Sequence, residues 1–144
     1  MKKPLLVILI VFALIMIVLL VLLQIAKSNE AEIKSHNIEY ENLLNKEIYG
    51  TEVTSVINKA IDNNEKNNIQ KDADGQYISD DANSIKIDLK MISQEGTYSM
   101  EDIEKLGIVE FSKYFNTVLF KCTGIEYHKD TKKISKIVFE QLTN

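Results

Sequence analysis

The first apolar stretch of the chain is unbroken. No charged or polar side chain occurs from Leu5 to Leu23. As a helix, this run spans roughly 28 Å, close to the thickness of a bilayer's hydrocarbon core. Each Leu, Ile, Val or Phe at the centre of such a helix favours insertion by about 0.3 to 0.6 kcal/mol, and nothing in the run opposes the sum. The run exceeds the apolar stretch of a signal peptide, about 7–15 residues. A transmembrane anchor over residues 1–26, contacting membrane lipid through Leu5 to Leu23, is therefore expected, with a cleaved signal as its rival. Lys2 and Lys3 precede the run and favour the cytoplasmic side, leaving the rest of the chain extracytoplasmic.

Beyond the anchor the pattern becomes amphipathic. Ile33, Asn37, Tyr40, Leu44 and Ile48 recur at helical spacing, and Ile38 and Leu43 widen the stripe. Glu30 and Lys34 form an i,i+4 pair in the favourable order. The spacing predicts a helical stalk over residues 27–50, ended by Gly50. Such a stripe either folds back on the following domain or meets a partner helix. That makes Ile33, Tyr40, Leu44 and Ile48 the partner-interface candidates.

Residues 51–144 read as an α+β domain: a small antiparallel sheet with one or two packed helices. Thr51 offers an N-cap, and Val53, Val56, Ile57, Ala60 and Ile61 share one helical face. The polar run Asp62 to Asn68 reads as loop, and Ile69 to Ile78 as a small hairpin around Asp72-Ala73-Asp74-Gly75. Ile85, Ile87, Leu89 and Met91 alternate with Lys86, Asp88 and Lys90, which predicts a strand with one apolar and one charged face. Ser99 to Asp102 forms a near capping box, with Ile103 and Leu106 expected inward and Gly107 as the stop. Phe111, Tyr114 and Phe115 fit either a further helix or an extended segment. A phase change at Gly124 separates Phe120 and Cys122 from Ile125 and Tyr127, as a β-bulge would. The chain then returns from Ile134 to Leu142 as a hairpin partner.

Composition narrows the function. All 17 basic residues are Lys, and with Lys2 and Lys3 set aside, 15 of them face 21 acidic residues. An acidic domain with no basic stripe and no Arg is a poor nucleic-acid binder. Lysine without arginine, with abundant Ile and Asn, is what an AT-rich bacterial coding sequence gives. One Cys excludes a disulfide framework.

Candidate chemistry is sparse. Cys122 and His128 would sit roughly 20 Å apart on one strand, too far for a nucleophile–base pair, so Cys122 reads as a buried thiol. His36 reads as a solvated helix residue. Asp72, Asp74, Asp80 and Asp81 are weak cation candidates. Gln70 and Asp81 stand where a calcium loop places Asp and a bidentate Glu, so the Asp-Gly turn is the simpler role. Glu101, Asp102 and Glu104 complement a helix N-terminus. No phosphate-binding glycine loop, Gly-x-Ser-x-Gly or His-Glu-x-x-His motif occurs. No catalytic residue, cofactor or metal ligand set is expected.

The layout resembles type IV pilin-like and pseudopilin subunits: Lys2 and Lys3, an apolar helix, a polar helical extension and a small sheet. The resemblance implies a subunit of a secretion or pilus apparatus. No Gly precedes the anchor and no Glu interrupts it, so the family's processing motif is missing. The residues by themselves favour a non-enzymatic, single-pass envelope protein whose outer domain binds a protein partner.

Overall fold

The structure, a computed structural model, describes residues 2–92 and 96–143; Met1, Ser93, Gln94, Glu95 and Asn144 lie outside the described residues. The elements run α1 (Lys2–Glu41), β1 (Glu47–Tyr49), α2 (Gly50–Lys66), β2 (Lys86–Lys90), β3 (Thr97–Ser99), α3 (Met100–Leu106), α4 (Ile108–Phe115), β4 (Leu119–Tyr127) and β5 (Ile134–Gln141). The chain divides into two units, residues 1–35 and 36–144.

The first unit is helical. Its most apolar 18-residue window has a mean hydropathy of 3.8 and is 0% buried. Length and composition suit it to cross a membrane, as an anchor or as a signal sequence.

The second unit is α+β, built on a five-stranded sheet in the order β1-β4-β5-β2-β3. β4 and β5 form the expected antiparallel hairpin. β5, however, runs parallel to β2, so the sheet is mixed and not antiparallel throughout. Alternation in a strand reports which face is buried but not which strand lies beside it. Here β2 and β5 become neighbours only after β3, two helices and β4 have intervened. The three-residue edge strands β1 and β3 are too short to show an alternating pattern.

The predicted stalk stops early. Helix α1 ends at Glu41, and Asn45 adopts a left-handed backbone (φ 62°). Asparagine tolerates that conformation and often terminates helices. The Asn45 N–H then donates to the Cys122 carbonyl at 2.8 Å, and the chain continues as β1 against β4. Ile48 therefore faces the core from a strand. Helix α2 starts at Gly50, so Gly50 opens this helix and does not close the previous one, and Tyr49 replaces Thr51 as its N-cap. The Tyr49 N–H donates to the Glu52 carboxylate at 3.1 Å. At its other end α2 continues to Lys66, through most of the run expected to be loop.

The core lies between one sheet face and the helices. Ile87, Leu89, Phe120, Cys122, Ile137 and Phe139 supply the sheet side, and Val53, Ile57, Ala60, Ile103 and Phe111 the helical side. Fully burying each large aliphatic or aromatic side chain is worth about 1.5–3 kcal/mol. The opposite sheet face is charged, with Lys136 on Asp88 and Lys90 on Glu140, both at 2.7 Å. The register shift between Cys122 and Gly124 is the bulge expected at the phase change.

Candidate functional site

Two asparagines pin the end of the sheet where β2 and β5 begin. Asn64 of α2 is fully buried; its Nδ2 donates to the Ile85 carbonyl and its Oδ1 accepts from the Ile85 N–H, each at 2.8 Å. Asn37, in the part of α1 that belongs to the second unit, does the same at β5. Its Nδ2 donates to the Lys132 carbonyl at 2.8 Å, and its Oδ1 accepts from the Ile134 N–H at 3.0 Å. In both cases a side-chain amide bonds backbone groups at the start of a strand that the sheet itself leaves unpaired. His128 joins this end: its Nε2–H donates to the Ser84 carbonyl at 2.7 Å. The Thr131 hydroxyl donates to the Ala82 carbonyl at 2.8 Å. The arrangement is a polar seam between α1, α2, the 79–84 loop and the β4–β5 turn. Its groups are occupied by backbone, which suits a structural joint.

The four aspartates do not converge. Asp72 Oδ1 accepts from the N–H groups of Asp74 and Gln76, and Gly75 takes a left-handed φ of 78°. This is the turn chemistry expected of Asp-x-Asp-Gly. Asp80 belongs to a separate turn, where Oδ1 accepts from the N–H groups of Ala82, Asn83 and Ser84 at 2.7–3.0 Å. Desolvation opposes the Asp80 carboxylate, but those N–H donors outweigh it and hold its pKa down to about 2. Among the described residues no group of three His, Cys, Asp or Glu side chains is placed to hold a metal ion.

Cys122 and His128 are held apart in function as well as in sequence. The Cys122 thiol is buried and faces the Gly124 carbonyl, and burial raises its pKa. The His128 ring is turned to Ser84. His36 is not simply solvated: it is partly buried and meets Tyr40 edge-on at 5.9 Å between ring centres. The carboxylates at the start of α3 hold a loop. Glu101, itself buried, accepts from the Tyr77 N–H at 3.0 Å; Glu104 pairs with Lys71 at 2.9 Å; Asp102 closes the capping box with Ser99. Together they dock the 69–78 turn onto α3.

The stalk stripe splits among different environments. Tyr40 and Ile48 are core residues, and burial, with Glu39 adding to it, pushes the Tyr40 pKa up to about 12. They are unavailable to a partner. Leu44 remains exposed and pairs through its backbone with Cys122. Ile33 lies in the first unit and is partly exposed.

The outstanding apolar surface lies elsewhere. Leu106, expected inward, is 61% exposed, because Gly107 (φ 95°) breaks the helix after it and starts α4 on a new axis. On α4, Phe111 is buried while Val109 is 70% and Tyr114 75% exposed. Glu110 and Lys113 lie between them, paired to each other. Beside this face, Thr54 of α2 and Ile108, Val109, Ser112, Lys113 and Asn116 line a shallow groove of about 370 Å³. By sequence Tyr114 fits either a helix or an extended segment; the structure makes it helical, and its exposure depends on which side of α4 meets α2, which the sequence does not state.

No protein-family model matches the chain, and comparison with characterised proteins and with solved structures gives no match either.

Proposed function

We propose that the protein is a single-pass, membrane-anchored extracytoplasmic module that binds protein through the Leu106–Tyr114 face and has no enzymatic role. The observation that carries this reading is the pairing of two exposed apolar surfaces of different kinds. One is a continuous apolar helix of membrane-spanning length. The other is the set of strongly exposed apolar side chains Leu106, Val109 and Tyr114 on α3 and α4. The two ends of α2 make different contacts. Asn63 and Asn64 sit at the seam end of α2, joined to the 79–84 loop, whereas Gly50 touches Phe115 at the other. Those ends are about 21 Å apart along the helix. The charge pattern before the anchor, Lys2 and Lys3, supports an extracytoplasmic domain.

Photo-crosslinking in intact cells tests the reading. A photoreactive residue at position 109 or 114 is expected to give a discrete protein adduct, and one at position 86, on the charged sheet face, is not. Equal, diffuse labelling from all three positions would overturn it.

A further inference from the structure

We infer that the last turns of α1, His36 to Glu41, form a strap that opens from the second unit as one piece, hinged at Asn45, while the sheet stays closed. The strap is independent of the α4 face. Beyond the hinge the chain is held by its backbone: the Asn45 N–H donates to the Cys122 carbonyl at 2.8 Å, the Cys122 N–H donates to the Lys46 carbonyl at 3.1 Å, and β1 follows. Residues 36–41 are helix, whose backbone groups bond to one another, so the segment grips the sheet through side chains. Asn37 holds the Lys132 carbonyl and the Ile134 N–H, and the Tyr40 ring is buried. Two further ties, Glu39 to Lys59 and Glu41 to the Tyr127 hydroxyl, are exposed, where such contacts are worth little.

Local opening begins where buried contacts are few. The fit of Tyr40 and Leu43 against Ser55 and Val56 of α2 leaves a groove of about 190 Å³. Asn45 already holds a left-handed conformation between α1 and β1, and hinges lie at such element ends. Opening strands the Ile134 N–H at the start of β5 and the Lys132 carbonyl in the β4–β5 turn. It spares Ile85, which Asn64 holds from α2. Helix α1 is continuous from the apolar segment to Glu41, so a pull on that segment reaches the strap first and passes through Asn37 to the start of β5. The strap thereby makes the seam responsive to whatever the apolar segment is attached to.

Native-state hydrogen exchange of the full-length chain in detergent micelles, repeated at low urea concentrations, tests the inference. The Ile134 amide is expected to exchange roughly tenfold faster than the Ile85 and Ile137 amides, with a rate that responds less to urea. Carbodiimide coupling of Glu39 to Lys59 locks the strap onto α2 and is expected to slow exchange at Ile134 roughly fivefold. A Lys59→Gln chain treated in the same way controls for coupling of other pairs and is expected to keep the fast exchange. An Ile134 amide that matches Ile85 in rate and urea dependence would overturn the inference, since the strap would then open only with the whole unit. Fast exchange that the Glu39–Lys59 coupling does not slow would also overturn it, because fraying of β5 alone would then account for the exchange.

Discussion

A Cβ added to Gly50 would stand 2.0 Å from the carbonyl oxygen of Phe115. That approach joins the first turn of α2 to the last turn of α4. It is tightened by the Gly50 N–H donating to the Val118 carbonyl at 2.9 Å and by the Thr54 hydroxyl donating to the Gly50 carbonyl at 2.8 Å. Neither oxygen nor helix can retreat without opening the contact among Phe111, Phe115 and Phe120. Gly50→Ala is therefore expected to cost about 3 kcal/mol, the upper range for forcing extra volume into packed structure. Urea unfolding of the detergent-solubilised chain, followed by tyrosine fluorescence, measures it. A loss below about 0.5 kcal/mol would show that the approach is looser than described.

The two asparagine clamps differ in burial, and so should their mutants. Asn64→Ala strands a fully buried N–H and carbonyl of Ile85. Leaving buried polar groups unpaired costs about 1–3 kcal/mol each, so a loss near the top of that range is expected. Asn37→Ala is expected to cost less, because its Lys132 partner lies in an exposed turn. Hydrogen exchange locates the damage. The Ile85 amide should lose protection in the first variant and the Ile134 amide in the second. Protection unchanged at both amides would contradict the clamp assignment.

Asp80 makes stability depend on acid. Its pKa is about 2 in the folded protein against 3.8 for an unperturbed Asp, so the unfolded chain binds the proton more readily. The stabilisation is therefore complete above about pH 4 and is lost as the pH falls through the folded value near 2. Asp80→Asn is expected to flatten that part of the stability–pH curve and to increase exchange at the Ala82, Asn83 and Ser84 amides. A variant whose acid limb matches the parent would show that other carboxylates dominate it.

Much of this was legible in the sequence, for identifiable reasons. Val53 to Ile61 declared an amphipathic helix because five apolar residues on one face have no competing strand reading. Ser99 and Asp102 announced a helix start through cap chemistry, and the break in alternation at Gly124 marked a bulge. The errors share a cause. Ile48 fits both a helical stripe and a strand, and only the left-handed turn at Asn45 decides between them. Asn64 looked like part of a polar loop because its burial comes from Ile85, twenty-one residues away. The parallel pairing of β2 with β5 is likewise set by distant packing. Local pattern carries periodicity and caps; it does not carry neighbours.

The central claim is that the apolar segment stays attached and holds the domain at a membrane. Intact-mass spectrometry of the protein recovered from carbonate-washed membranes tests it most directly. The account predicts a membrane-retained chain whose mass includes Leu5 to Leu23. A soluble species whose sequence begins after Leu23 would contradict it, since the segment would then be a removed signal and the domain would act free of any anchor.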